Sequence, residues 1–563
     1  MSSDRLFDPA RLASWLARNE RALRWPIVIF ALLEVAAYYL PGLLKQAVFS
    51  NDMAQWTAWA YRYQDQGLFP GDPNAAYWTA SFPLGYAAML RLLAPLVDPQ
   101  VLGETVGMAL GGVTAWLSYR LGRLVCGGRL SGGVAALLLI FAGQFTHFQA
   151  LNLLNFEAGG LPRGFALPLL LLGYLGIAER RFWQFAAAVV LAGLFYPPAV
   201  VSLGAIAGLL ALSRIAQVRA VKLKTIQPLL FVAAGLAIAQ ANVLLQGSVL
   251  GRQFAWNEIV QMPEFRGSGI LPLFYADTWT YFGNAVMLDK GAAGIAWFLF
   301  TAVALVVMCK RGDAGIARML ILIVPASALT NYALAYLLLP RMYEPSRYFV
   351  FAYPMLTIIT VSYAFDTAAR RLANRLTGPT LALPRAWPAI AVGLAVGLNV
   401  ADFAVRYRFD RGGMNDTMPA EMYRYIETLP KTAVIGGMPT LTDRIPMRAR
   451  RSVLIMSTSF YPYHAGFYQA NLAKFDGLIG ALAAPDAAPA AALRDRFGVH
   501  YLVVDLRAPL SDALTVYEPL HSRIARLGDP SQGTSGFVAR QARDHALFRA
   551  GPYALIALDG IGQ

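Results

Sequence analysis

"SFPLGYAAMLRLLAPLV", residues 81–97, decides how this chain lies across a membrane. Counted as a span, it places the basic stretch "RLGRLVCGGR" at the end of the next apolar run on the outer side. That opposes the tendency of Lys and Arg to collect in cytoplasmic loops. Arg91 lies inside the run and Pro83 near its start. The stretch therefore reads as a helix lying in the outer interface, and this choice sets the topology on either side of it.

Working outward, runs of about 20 apolar residues, the length that spans a bilayer, fall near 25–44, 101–122, 130–149, 161–178, 227–246, 289–309, 315–338, 347–364 and 386–404. The apolar stretch 182–213 is interrupted by Tyr196, Pro197 and Pro198 and reads as two short helices meeting there. The expectation is an α-helical polytopic membrane protein of about eleven transmembrane helices, with the N-terminus inside and the C-terminus outside. Residues 1–24, polar and arginine-bearing, form the cytoplasmic segment; 25–404 form the membrane domain, with outer loops 45–100 and 247–288. From 405 to 563 charge rises and long apolar runs cease. "PAEMYRYIETLP" and "APAAALRDRF" have helical spacing, while "AVIGGM", "SVLIM", "HYLVVD" and "YALIALD" read as strands, giving a C-terminal extracytoplasmic α/β domain.

Composition agrees with this layout. Of 563 residues, 57% are hydrophobic and 14% charged, with mean hydropathy +0.47, whereas soluble domains carry about 25% charged residues. The net charge of +15 is spread over short basic loops, "ERR" at 179–181, "RIAQVRAVKLK", "KRGDAGIAR" and "DTAARRLANR" among them. The positive-inside rule accounts for it, and nucleic acid is not an expected partner. Neither Cys126 nor Cys309 belongs to a metal-ligand spacing, and there is no D-x-D or H-x-x-x-H. No metal or cofactor is expected to be required.

The outer loop opens with "FSNDMAQWTAWAYRYQDQGLFPGDP", residues 49–73. A helix from Asn51 to Gly67 would put Asp52, Trp56, Trp59 and Tyr63 on one face, a carboxylate at the membrane boundary beside rings on which a sugar can stack. Capping and the helix macrodipole also favour Asp in a first turn, and Trp and Tyr form interfacial belts in many membrane proteins. Position in the architecture adds weight to the first reading.

A long outer loop bearing a carboxylate after the first span, then "FPLGYAAMLRLL" as a proline-led interfacial helix, then a span ending in "YRLGRLVCGG", resembles the GT-C superfamily of integral-membrane glycosyltransferases. Protein O-mannosyltransferases, arabinosyltransferases and the aminoarabinose transferase of lipid A belong to it. The similarity covers roughly the first 250 residues and is one of ordered pattern. It implies a bacterial inner-membrane enzyme that moves a sugar from a polyprenyl-phosphate donor to a glycan or glycolipid acceptor on the outer face. Anomeric inversion is implied, with the first-loop carboxylate, here Asp52, as general base. Many members carry two adjacent acids there, whereas this chain has "NDM", so Asp65, Asp72 and Glu157 are further candidate acids.

Such a reaction needs cations for the departing lipid phosphate, and arginine's planar fork suits it. Arg163, Arg252, Arg266, Arg341 and Arg347 face outward under this topology, and Arg163 and Arg347 each open a span. Snorkelling at the interface is the competing role for each. His464, among the rings of "FYPYHAGFY", reads as a packing residue. Glu34, inside the first span, and the proline-broken 182–213 region sustain an alternative, a polytopic transporter or lipid flippase.

Overall fold

The structure is a computed structural model. It describes residues 51–128, 130–142, 160–219, 222–273, 315–339, 341–342, 344–375, 416–526, 534–559 and 561, with a few isolated positions between 29 and 44 and between 302 and 306. Apart from those positions, the expected spans 25–44 and 289–309 lie outside the described residues, as do 143–149 and all of 386–404.

Among the described residues the helices of seven or more residues up to residue 375 are α1 (Asn51–Thr57), α2 (Pro73–Ser81), α3 (Leu84–Leu93), α4 (Pro99–Val125), α5 (Leu130–Ala142), α6 (Ala166–Ala178), α7 (Phe182–Phe195), α8 (Pro197–Val218), α9 (Leu223–Leu250), α10 (Gly315–Leu337) and α11 (Arg347–Arg375). The deciding stretch forms α3, ten residues long. At about 1.5 Å per residue it reaches only about half of a bilayer core about 30 Å thick. Leu92, Leu93, Leu96 and Val97 stay exposed at its end. Among the described residues four helices are long and apolar enough to cross a membrane, within Pro197–Val218, Thr225–Leu250, Met319–Leu337 and Arg347–Thr367. Together with the composition they make this a membrane protein.

The break at 196–198 has a local cause. A residue before proline is pushed out of the α region, and Tyr196 has φ −151° and ψ 81°. The two prolines then occupy the first turn of α8, where no N–H is needed for the helix ladder. Of the two helices expected there, α7 is short at 14 residues but α8 runs to 22.

The helix ends sort to two sides. On one, Arg120 near the end of α4 donates to both Glu179 oxygens, at 2.8 and 2.7 Å, just past the end of α6. Ser131 at the start of α5 donates to Asp366 of α11 at 2.5 Å. Backbones approach closely here because glycines face each other: a Cβ on Gly122 of α4 would lie 2.3 Å from the Gly132 carbonyl of α5. Gly122→Ala is therefore expected to destabilise the bundle by about 1–3 kcal/mol, the usual cost of overpacking, and to lower its melting temperature in detergent. Gly208→Ala in α8, with nothing within 4 Å of the added carbon, is expected not to. Equal melting temperatures for the two variants would contradict the close α4–α5 crossing.

The C-terminal part holds α12 (Ala420–Thr428), α13 (Ala465–Ala483), α14 (Ala488–Phe497) and a five-stranded sheet in the order β2-β1-β3-β5-β4. Its strands are β1 (Val434–Gly436), β2 (Ser452–Val453), β3 (Tyr501–Asp505), β4 (Phe548–Ala550) and β5 (Tyr553–Ala557). β1 runs parallel to β2 and β3, while β5 is antiparallel to β3 and β4. Leu502, Val503 and Val504 are buried in succession, as expected of a strand covered on both faces. β2 is shorter than the apolar run "SVLIM" suggests. After Leu454 the chain turns away from the sheet, and the segment that follows meets the first loop, through the hydrogen bonds of Thr458 to Gln55 and Ser459 to Asn74.

That meeting merges the two parts. The buried core of the α/β part includes Ala54, Ala58, Trp59, Tyr77 and Trp78 from the first loop, alongside Ile435, Ile455, Phe475 and Val503. Met53, next to Ala54 in sequence, packs instead into the bundle core with Ala166, Leu170 and Tyr348. Successive helical side chains point about 100° apart, so α1 serves both cores at once and Asp52 lies on the seam between them.

Candidate active site

α1 ends at Thr57, and the chain continues as a tighter 3-10 turn over Ala58–Tyr63. This corrects the single helix expected from Asn51 to Gly67, and with it the shared face of four residues, because the rotation per residue changes partway along. Trp59 is 1% exposed and packs edge-on against Phe69 in the α/β core. It is therefore a core residue rather than a platform for a sugar. Trp56 stacks on Trp78 at 5.2 Å between ring centroids, and Tyr63 packs against the cluster of Phe82, Tyr86 and Leu90.

Asp52 itself meets Arg163. The Arg163 Nη1 donates to Asp52 Oδ2 at 2.5 Å, with the side chains 15% and 31% exposed respectively. Arg163 is aimed by the 3-10 turn Pro162–Phe165 that leads into α6. Its Nε–H is buried with no partner among the described residues. A second ion pair stands nearby: Arg347 Nε donates to Glu344 Oε2 at 3.0 Å, one turn apart at the start of α11.

Tyr461 lies within electrostatic reach of both pairs. Burial, reinforced by the nearby Asp52 and Glu344 carboxylates, raises its hydroxyl well above the ordinary phenol range, against the pull of the Arg163 and Arg347 guanidiniums. The phenol thus stays protonated, a neutral donor among two carboxylates and two guanidiniums. Tyr461 stacks on Tyr463 at 5.7 Å, and the Tyr463 hydroxyl reaches Glu344 Oε1 at 3.4 Å.

This tyrosine segment is pinned along its length. The Ser457 N–H and hydroxyl donate to the two oxygens of Asp443 at 2.7 and 2.5 Å. The Thr458 N–H donates to Gln55 Oε1 at 3.0 Å, and the Ser459 hydroxyl to Asn74 Oδ1 at 3.1 Å. The Tyr77 hydroxyl and His464 Nδ1 lie 2.8 Å apart, and Tyr77 stacks on Phe467 at 3.7 Å. His464 is held in this packing, and burial lowers its pKa.

The other candidates go elsewhere. Asp65 pairs with Lys431 at 2.5 Å, and that hydrogen bond holds its carboxyl below the usual range. It ties the loop to the α/β part. Asp72 is buried as the N-cap of α2, accepting from the Asn74 and Ala75 amides at 2.7 and 3.2 Å. Burial pushes its carboxyl upward, so it too has a structural employment. Arg252 is engaged by Glu258 at 2.6 and 3.0 Å. Arg266 donates to the Val260 carbonyl at 3.2 Å, and Arg341 is exposed. Neither these three arginines nor the two acids join the cluster. Glu157 and Glu34 lie outside the described residues.

Glu344 and Tyr461 escaped the sequence reading. Their signals were present in "YEPSRYF", where Glu344 stands three residues before Arg347, and in the ring-rich "FYPYH", but neither stretch indicates its partner in the first loop. Among the described residues no group of three His, Cys, Asp or Glu side chains is placed to hold a metal ion.

No family model matches the chain, and no curated protein matches it. Among solved structures it is similar to the apo oligosaccharyltransferase of Archaeoglobus fulgidus, at 13% identity and TM-score 0.48, over 90% of this chain and 72% of that one. A second is AglB from the same organism in complex with an inhibitory peptide and a dolichol-phosphate, at 14% identity and TM-score 0.46, over 88% and 70%. A third is the same oligosaccharyltransferase tethered to an acceptor peptide containing the NVT sequon, at 14% identity and TM-score 0.42, over 88% and 70%.

Proposed function

We propose that this protein is a membrane glycosyltransferase that moves a sugar from a polyprenyl-phosphate donor to a glycan or lipid acceptor on the outer face of a bacterial inner membrane. The arrangement of about eleven spans, with the N-terminus cytoplasmic and the α/β part periplasmic, belongs to the same reading. One observation carries it: two ion pairs, Asp52–Arg163 and Glu344–Arg347, stand at the seam between an apolar bundle and an α/β part, where the Tyr463 hydroxyl reaches Glu344. A lipid phosphate approaching from the bilayer and a hydroxyl approaching from the aqueous side meet at such a seam.

In the proposed step the acceptor hydroxyl gives its proton to Asp52 as its oxygen bonds to the anomeric carbon. The bond from that carbon to the phosphate oxygen breaks, and its electron pair leaves with the lipid phosphate. Displacement in a single step inverts the anomeric centre. Asp52 Oδ2 is held by Arg163, which orients the carboxylate and leaves Oδ1 for the acceptor. Arg163 and Arg347 supply positive charge toward the phosphate. The reading calls for no metal ion, since two guanidiniums meet the charge requirement.

The test is a transfer assay in nanodiscs, offering radiolabelled polyprenyl-phosphate sugars with mixed cell-envelope glycans and lipids as acceptors. Label is expected to move to an acceptor or to water. Asp65→Asn is expected to turn over at the wild-type rate, because Asp65 is engaged with Lys431 away from the cluster. A large loss in that variant would move the base to Asp65. Uptake of labelled solute into proteoliposomes without any transfer would favour the transporter reading instead.

A further inference from the structure

We propose that Tyr461 is a catalytic residue contributed by the α/β part, its O–H donating a hydrogen bond to the phosphate oxygen that departs from the sugar. The inference rests on the glycosyltransferase reading and adds to it a group that neither arginine can replace. Guanidiniums bring positive charge, and here each already serves a carboxylate. The phenol brings a donor that stays neutral and in place.

Three features support this role. Tyr461 stacks on Tyr463, whose hydroxyl reaches Glu344 Oε1 at 3.4 Å, and it stands within electrostatic reach of both ion pairs. Its hydroxyl has no hydrogen-bond partner among the described residues and is not among the fully buried unpaired groups, so it opens onto accessible space. It is also held in place before any ligand arrives. Gln55 and Thr458 are hydrogen-bonded to each other, and each lies three residues from its site residue, Asp52 and Tyr461. Ser457 is clamped by Asp443 on the other side. Donors fixed in advance are the kind that stabilise developing charge most effectively, because no reorganisation is needed during the reaction.

In this step the phenol keeps its proton. The negative charge arriving on the phosphate oxygen is shared among the Tyr461 O–H, Arg163 and Arg347, while the acceptor's proton goes to Asp52. Atoms and charge balance without a further reactant.

The experiment compares wild type and Tyr461→Phe in two measurements: binding of farnesyl phosphate against farnesol, and turnover. Wild type is expected to prefer the phosphate. Tyr461→Phe is expected to lose about tenfold of that preference and about 10²-fold in kcat, with unchanged farnesol affinity and melting temperature. Wild-type preference and turnover in Tyr461→Phe would overturn the assignment and leave the glycosyltransferase reading intact. Absence of any preference for phosphate in wild type would sink that reading, and this inference with it. Should Tyr461→Phe fail to fold, 3,5-difluorotyrosine at 461 keeps the ring and makes the O–H a stronger donor while it remains protonated. Tighter farnesyl-phosphate binding that fades as the fluorinated phenol ionises is the expected result, and pH-independent wild-type affinity would refute it.

Discussion

Asp52→Asn is expected to lower sugar transfer by about 10²–10⁴-fold, the range that general-base catalysis contributes, while the protein stays folded. Asparagine has nearly the same shape, so the contacts of α1 with both cores survive: Met53 remains in the bundle and Ala54 in the α/β core. What disappears is the ability to take up the acceptor's proton and the charge opposite Arg163. The pair is partly exposed, so its loss affects stability modestly. Release of labelled sugar from a polyprenyl-phosphate donor, measured beside the melting temperature, separates the two effects. Wild-type turnover in a well-folded Asp52→Asn would remove Asp52 as the base and point to Glu344, the other carboxylate beside Tyr461.

Excision of residues 416–563 is expected to yield a fragment without a cooperative thermal transition that binds hydrophobic dyes in the manner of a molten state. The sheet and its helices are contiguous in sequence, yet their core is not. Trp59, Tyr77 and Trp78 from the first loop, Phe254 and Phe265 from the loop after α9, and the Asn74–Val453 hydrogen bond at 3.2 Å all belong to it. Truncating one buried aromatic such as Trp59 costs about 3–5 kcal/mol, comparable to the whole stability of a small domain, and excision removes several such groups. A fragment that unfolds sharply, at a temperature near that of the intact protein, would show that the first loop only rests on the α/β part.

This shared core also explains which features were legible in the sequence. The proline break at 196–198 and several apolar runs of about 20 residues follow from local chemistry and reappear among the described helices. Four of the five strands of the α/β part could be read from alternation and from β-branched runs such as "YLVVD", while β4 (Phe548–Ala550) carries no such run. Asp52 and two of the five arginines, Arg163 and Arg347, could be read from their places at the ends of apolar segments, because such places recur at membrane boundaries.

The rest depended on distance along the chain. A periodicity argument assumes one helix type, so the change to a 3-10 turn after Thr57 redirected the rings of the first loop into the core. Asp72 and Asp65 resembled Asp52 as loop carboxylates, and only their partners, the α2 amides and Lys431, show that they are structurally engaged. The hydrogen bond from Thr458 to Gln55 joins residues 403 positions apart, and through it Tyr461 is fixed in the same assembly as Asp52. By itself the sequence determined the membrane class, much of the order of helices and strands, and a carboxylate just past an apolar segment, since these depend on hydrophobicity and local backbone preference. Only the tertiary structure decided which charges meet and which tyrosine stands between them, because pairing depends on how two cores close around one short helix and no local preference encodes that.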